Sequence, residues 1–307
     1  MFPSRFPLKL SLLLMTVLLA LAGCNKPAGV STGLSAPAAA PSPAPSRIIS
    51  TAPSSTEIIL SLGFAGSLIA VDPYSAALAG LPDGLALIDF AAPDAEAIIG
   101  LEPDLIVSSE INRISAADDP FKLLRDLGIP IVYIPTSDSI AGIYQDIGMI
   151  AEALGAEAGG RELVSAMQAE IAAIAAQGAA LATQRAKRSV YFEISPFPYP
   201  YTFGSGTYLH EMLEIIGAEN IFAGQTGWFA PSVEAVIRAN PEVILSMDYG
   251  DPNTLDEIRG RDGFGTIAAV AAGRVYTING DTASRPSPGI ISALWEMARA
   301  VYPGQFD

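Results

Sequence analysis

The sequence predicts an α/β protein of two similar lobes, each a small, mainly parallel sheet flanked by helices, joined by one long α-helix. Three observations lead there. Residues 93–107, PDAEAIIGLEPDLIV, return at 231–245 as PSVEAVIRANPEVIL, with six of fifteen positions identical. Runs that read as strands alternate with runs that read as helices in both halves, the pattern of a parallel sheet. Between the halves, residues 139–187 hold no plausible strand, and Leu163, Met167, Ile171, Ile174 and Leu181 recur at helical spacing.

In chain order, Arg5 and Lys9 precede an apolar run from Leu10 to Leu21, too short to span a bilayer as a helix of about 20 residues. Leu21-Ala22-Gly23-Cys24 follows at once, so residues 1–23 resemble a bacterial lipoprotein signal peptide, and Cys24 is the expected lipidated residue. The other reading of Cys24 is a structural cysteine at the end of an uncleaved anchor. Either way the bulk of the chain is expected outside the cytoplasm, in the periplasm or on the outer face of the cytoplasmic membrane. Cys24 is the sole cysteine, which excludes an intramolecular disulfide. Residues 24–46, rich in Ala, Pro and Ser, form a flexible tether that has too little apolar matter to bury a core.

The N-terminal lobe, 47–138, opens with a strand at Arg47–Ser50. Ser54-Ser55-Thr56-Glu57 has capping-box spacing before the apolar helix at Ile58–Leu62. Strands follow at Ser67–Val71, Leu105–Val107 and Ile129–Ile134. The linking segment, 139–187, contains a helix from about Arg161 to Arg185, long enough to cross between lobes. The C-terminal lobe, 188–307, repeats the plan with a strand at Ser189–Ile194, a helix near Leu209–Ile216, the second repeat copy and a strand at Arg274–Ile278. Glu57 and Gly63 recur at the same spacing as Glu211 and Gly217, which supports duplication. Each repeat copy reads as a helix opened by Pro and a capping residue and ended by a second Pro, then a buried strand. Each also carries a carboxylate in its first helical turn, Glu96 and Glu234, which a buried core does not need.

At this point the residues carry a family resemblance. Ile48 through Ile58, the two Pro-x-x-Glu-Ala helices, Pro103-Asp104-Leu105-Ile106, Gly217 through Phe222 and Ser284-Arg285-Pro286-Ser287-Pro288 resemble the helical-backbone solute-binding proteins of ABC importers for cobalamin and ferric siderophores. The resemblance implies two lobes on one long helix and a metal chelate held in the cleft. It also implies a partner, a permease dimer with its ATPase subunits, docked through a Glu on each lobe. By position these are Glu96 and Glu234. The alternative for each is an acid that favours its own helix dipole.

Open α/β sheets place ligands beyond the carboxyl ends of their strands. In the first lobe Pro53, Ser54, Tyr74, Ser109 and Glu110 stand there. In the second, residues 191–208 hold seven aromatics stiffened by prolines, and Trp228 and Phe229 add two more. Tyr199, Tyr201 and Phe203 with Trp228, Phe229 and Tyr249 form the expected aromatic wall, suited to a large, flat, partly apolar ligand. Gly204-Ser205 makes a turn that could hold an anionic group. Arg285, before Pro286, is either the cation of the cleft or the partner of Asp281. The wall fits a corrin, and so few basic residues fit a polyanionic catecholate poorly. Cobalamin is therefore the expected cargo, with a ferric siderophore or heme as alternatives. The cobalt or iron belongs to the cargo, and no resident cofactor is expected.

Other classes fit less well. The formal charge of −15 argues against nucleic acid and against attraction to anionic lipid, which leaves the lipid on Cys24 as the membrane contact. Related binders of bare Zn or Mn present several imidazoles, whereas His210 is the one histidine here, so no protein-held metal site is expected. Catalysis lacks support: no G-x-S-x-G elbow is present, and Asp118 and Asp119 read as loop acids.

Overall fold

The computed structural model describes residues 44–113 and 119–306. The leader at 1–23, Cys24, most of the tether and Asp118 lie outside the described residues. The first half runs β1 (Ile48–Ser50), α1 (Pro53–Ser61), β2 (Leu68–Val71), β3 (Ala86–Leu87), α2 (Ala95–Gly100), β4 (Leu105–Ser109), α3 (Lys122–Asp126) and β5 (Ile131–Ile134). Two helices follow, α4 (Ile140–Ala153) and α5 (Glu157–Gln184). The second half begins with β6 (Ser189–Glu193), β7 (Thr202–Phe203), α6 (Tyr208–Ile215), β8 (Glu219–Asn220), β9 (Trp228–Phe229) and α7 (Val233–Ala239). It continues through β10 (Val243–Asp248), α8 (Thr254–Gly260), α9 (Ala268–Ala271), β11 (Val275–Asn279), α10 (Gly280–Ser284) and α11 (Ile290–Val301).

The strands form a parallel sheet in the order β3-β2-β1-β4-β5 and another in the order β11-β10-β6-β8. Central strands such as β1 and β4 are buried almost throughout, serines included, because helices cover both faces of a parallel sheet. With the edge strand β3 set aside, β2-β1-β4-β5 and β8-β6-β10-β11 have the same order, so the two halves share one topology.

The duplication reaches single hydrogen bonds. Asp94 caps α2 by accepting from Ala97 N at 3.1 Å, and Ser232 caps α7 by accepting from Ala235 N at 3.2 Å. Each repeat then leaves its helix through a left-handed residue before proline, Glu102 at φ 49° and Asn240 at φ 46°. Glu57 and Glu211 are equivalent too, and both reach outside their own half. Glu57 accepts from Arg285 and Ser287 ahead of α11, while Glu211 accepts from Ile140 N at the start of α4 at 3.0 Å. Each carboxylate thus sits at the N-terminus of a helix outside its own half, α11 for Glu57 and the linking helix α4 for Glu211, where the dipole favours an anion.

The capping box expected at the start of α1 does not form. Ala52 is the N-cap residue and makes no side-chain capping bond, because its methyl carries no oxygen to accept from the N–H groups of the second and third helical positions, while Pro53 suits the first. The Thr56 hydroxyl bonds Ser50 Oγ at 2.7 Å, and Glu57 is free to reach across.

The α5 helix, 28 residues and about 42 Å long at 1.5 Å per residue, buries Met167, Ile174 and Leu181, with Leu163 and Ile171 packed beside them. One apolar cluster runs from α1 and β4 through α4 and α5 to α6, β10 and α11, so the linking helices share a core with both lobes. Two glycines set how closely α5 approaches. A Cβ on Gly160 would meet Ala151 Cβ at 2.5 Å, and one on Gly178 would meet Ile215 O at 2.3 Å.

Candidate functional site

The carboxyl ends of both sheets face a cleft of three adjoining hollows, of about 220, 490 and 170 Å³, all of which Pro286 lines. The first lobe contributes Pro53 and Ser54 from the start of α1, Tyr74 after β2 and Ser109 at the end of β4. Tyr74 is aimed by Asp72, whose carboxylate accepts its N–H at 2.8 Å, and its ring lies 6.1 Å from Phe90. The second lobe contributes Tyr201, Trp228, Tyr249 and Arg285.

Trp228 is positioned by the antiparallel β7–β9 ribbon and by Tyr208, whose ring centre lies 5.8 Å away. Its indole N–H donates to Asp138 at 2.9 Å, between β5 and α4. Burial raises the Tyr208 hydroxyl above its ordinary pKa, aided by Tyr249 and Asp138, so it stays protonated and donates to Ala283 O at 2.9 Å. The stiff proline segment is held from behind. Phe197 stacks over the Arg261 guanidinium at 4.8 Å, and Arg261 Nη2 donates to the fully buried Glu193 at 2.9 Å.

Arg285 lines the cleft and is also paired. Its Nη2 donates to Asp281 at 2.7 Å and its Nη1 to Glu57 of the other lobe at 3.3 Å. The Asp281 partner is visible in the spacing of the two residues. Glu57, 228 positions away, is not.

Six of the expected wall and loop residues do not line the cleft. Tyr199 sits at the tip of a tight turn closed by Ser195 Oγ on its carbonyl, and is 84% exposed. Phe203 is fully buried beneath Trp228, wedged against Phe192 at 5.4 Å. Phe229, next to Trp228, points the other way because strand side chains alternate, and meets Phe222 edge-on at 5.3 Å. Gly204 packs on Gln225, whose carbonyl a Cβ would meet at 2.2 Å, and the Ser205 hydroxyl donates to that same carbonyl. That turn therefore braces the ribbon and presents no anion site. Glu110 lies on an outward turn 3.7 Å from Arg113. Conversely, sequence reading missed Phe90, Asn112, Thr136, Asp138, Tyr208 and Pro286 on the cleft wall. Thr136, Asp138 and Tyr208 follow or flank elements legible in the sequence, so the strand-end rule reaches them, whereas Phe90, Asn112 and Pro286 lie on turns or loops without such a signal.

A family model described as periplasmic binding protein matches residues 48–282. The chain belongs to the periplasmic binding protein family. An uncharacterized ABC transporter substrate-binding lipoprotein of Bacillus subtilis is 33% identical over 266 residues, spanning 85% of this chain and 81% of that protein. A vitamin B12-binding protein of Vibrio campbellii is 28% identical, spanning 82% and 87%. The crystal structure of a possible iron-binding, periplasmic solute-binding protein from Staphylococcus epidermidis has a TM-score of 0.74 at 31% identity, covering 84% of this chain and 99% of that one.

This periplasmic binding protein is thus an extracytoplasmic ABC transporter substrate-binding protein, working with permease and ATPase components, and its relatives are transport proteins rather than enzymes. Glu96 and Glu234 are exposed in the first turns of α2 and α7, at equivalent points of the two lobes. Among the described residues neither belongs to an ion pair. His210 is buried, its Nδ1 3.4 Å from Asn220 and its Nε2 3.6 Å from Glu214. Among the described residues no group of three or more His, Cys, Asp or Glu side chains could hold a metal ion.

Proposed function

We propose that the protein captures a metal chelate in the cleft between its lobes and delivers it to an ABC permease dimer while lipid on Cys24 holds it at the membrane. Cobalamin is the first-ranked cargo, with a ferric siderophore or heme as the alternative. The observation that carries this reading is the pairing of aromatic walls across one cleft: Tyr74 and Phe90 on one lobe, Tyr201, Trp228 and Tyr249 on the other. Flat aromatic faces with Ser54 and Ser109 hydroxyls between them suit a large planar ligand with an amide-bearing rim. The vitamin B12-binding and iron-binding names of its relatives support the same ligand class.

Titration with cobalamin tests the proposal directly. The chain has two tryptophans, so binding should quench fluorescence, and Trp228→Ala should remove most of that signal and weaken binding by about 1 kcal/mol or more. Retention of free Zn with no response to cobalamin, a ferric hydroxamate, a ferric catecholate or heme would overturn it. Loss of fatty-acid labelling in Cys24→Ser tests the anchor, and persistent labelling removes it.

A further inference from the structure

The electrostatics of the cleft sort chelates by charge, an inference that rests on the cleft being the cargo site. Among the described residues Arg285 is the one Lys or Arg that lines it. Both terminal nitrogens of Arg285 are engaged by carboxylates, Glu57 at 3.3 Å and Asp281 at 2.7 Å, and its side chain is only 13% exposed. Glu57 is similarly enclosed, at 16%, and also accepts from Ser287. Asp138 adds a second acid on the wall opposite, held by the neutral indole of Trp228. Arg113, on the neighbouring turn, is spent on Glu110 and on the face of Tyr133, 5.1 Å away.

The local balance is therefore negative in a chain that is already acidic. An anionic ligand group would meet an Arg285 whose charge Glu57 and Asp281 already neutralise, and drawing the guanidinium off Glu57 to strengthen the contact would strand an enclosed carboxylate. The ligand's own charge would also face Asp281 and Asp138. An uncharged or cationic complex meets neither cost. Its amide and hydroxamate groups can use the neutral polar set of Ser54, Ser109, Asn112 and Thr136.

We propose that this cleft selects metal chelates that carry no net negative charge, and that Glu57 and Asp281 are the specificity-determining residues because they neutralise its one cation. Equilibrium dialysis of the purified protein would compare cyanocobalamin, an uncharged ferric tris-hydroxamate, hemin and a ferric tris-catecholate at low and high salt. The expected result is retention of an uncharged chelate at least about tenfold more tightly than either anionic one. In Asp281→Asn, and separately in Glu57→Gln, the ratio of anionic to uncharged affinity should rise by about tenfold, with the gain shrinking in high salt. Asp281 is the safer variant because its side chain is 57% exposed and its loss leaves the contact between lobes in place. Tighter binding of hemin or the catecholate by the unaltered protein overturns the charge rule while leaving a chelate receptor standing. An unmoved ratio in both variants overturns the role given to the two acids. Retention of none of the four removes both readings.

Discussion

At the scale of single residues, the two repeat copies solve one backbone problem with different side chains. Asn240 and Glu102 both take a positive φ, but Glu is the more strained there, because the short amide of Asn can bond nearby backbone and the longer Glu side chain gains no such bond to offset the clash. Glu102 is exposed, so Glu102→Asn should stabilise the protein by up to about 1 kcal/mol, read as a rise in the denaturation midpoint. A lower midpoint would mean that the Glu102 side chain has a role of its own. Asp146 on α4 poses a different problem. Burial pushes its carboxyl up to about 6, partly offset by the Ser137 hydroxyl that donates to it. Between its ordinary value near 4 and about 6, the folded chain holds a proton that the unfolded chain has released. Stability from this group therefore falls as pH rises through that window and is flat above it. Asp146→Asn should raise Tm at pH 7.5 by a gain on the order of 1 kcal/mol, about 2–4 °C at this size. The gain should fade toward pH 4, and a pH-independent difference would refute the cause assigned.

At the scale of elements, the linking helix shows how local patterning and close packing divide the work. Its apolar stripe is legible from Leu163 to Leu181 because a 3.6-residue period survives whatever the partner is. Its seat on α6 is not legible, since Gly178 has no side chain to signal contact, yet it lets the backbone of α5 come against Ile215 and Gly217. Gly178→Ala puts a methyl where a carbonyl oxygen stands and should cost about 1–3 kcal/mol, the usual range for overpacking. Thermal melts of equal midpoint for the two proteins would show that the helix shifts freely. The β7–β9 ribbon was invisible for a related reason: two-residue strands carry no periodicity, and their pairing is decided by the chain segments around them.

At the scale of the whole molecule, matched halves present matched surfaces. Glu96 and Glu234 stand in equivalent exposed turns, and the permease dimer we propose as partner would meet both at once. Either Glu→Lys replacement should lower transport while chelate affinity in solution stays the same, because an exposed charge acts on docking and not on the cleft. Normal uptake by the double replacement would reduce the pair to helix-start acids. The shared core, α5 and the Glu57–Arg285 contact also tie the lobes by three routes, with Glu211 holding the second lobe to α4, which resists wide opening.

The fold class, the duplication, the linking helix and the two equivalent exposed acids are legible in the sequence because each is written in local patterning: apolar period, proline and cap residues, and a repeat that keeps its register. So are Pro53, Ser54, Tyr74, Ser109, Tyr201, Trp228, Tyr249 and Arg285 on the cleft wall, since strand ends in an α/β sheet point to one face. Which aromatics turn inward is settled by packing: Trp228 faces the cleft while its neighbour Phe229 faces the core. Packing likewise gives Glu57 to Arg285. The first outcome depends on how the β7–β9 ribbon is seated, with Trp228 bonded to Asp138 ninety positions away, and the second on a pair 228 positions apart, so the sequence neighbourhood of each residue does not encode it.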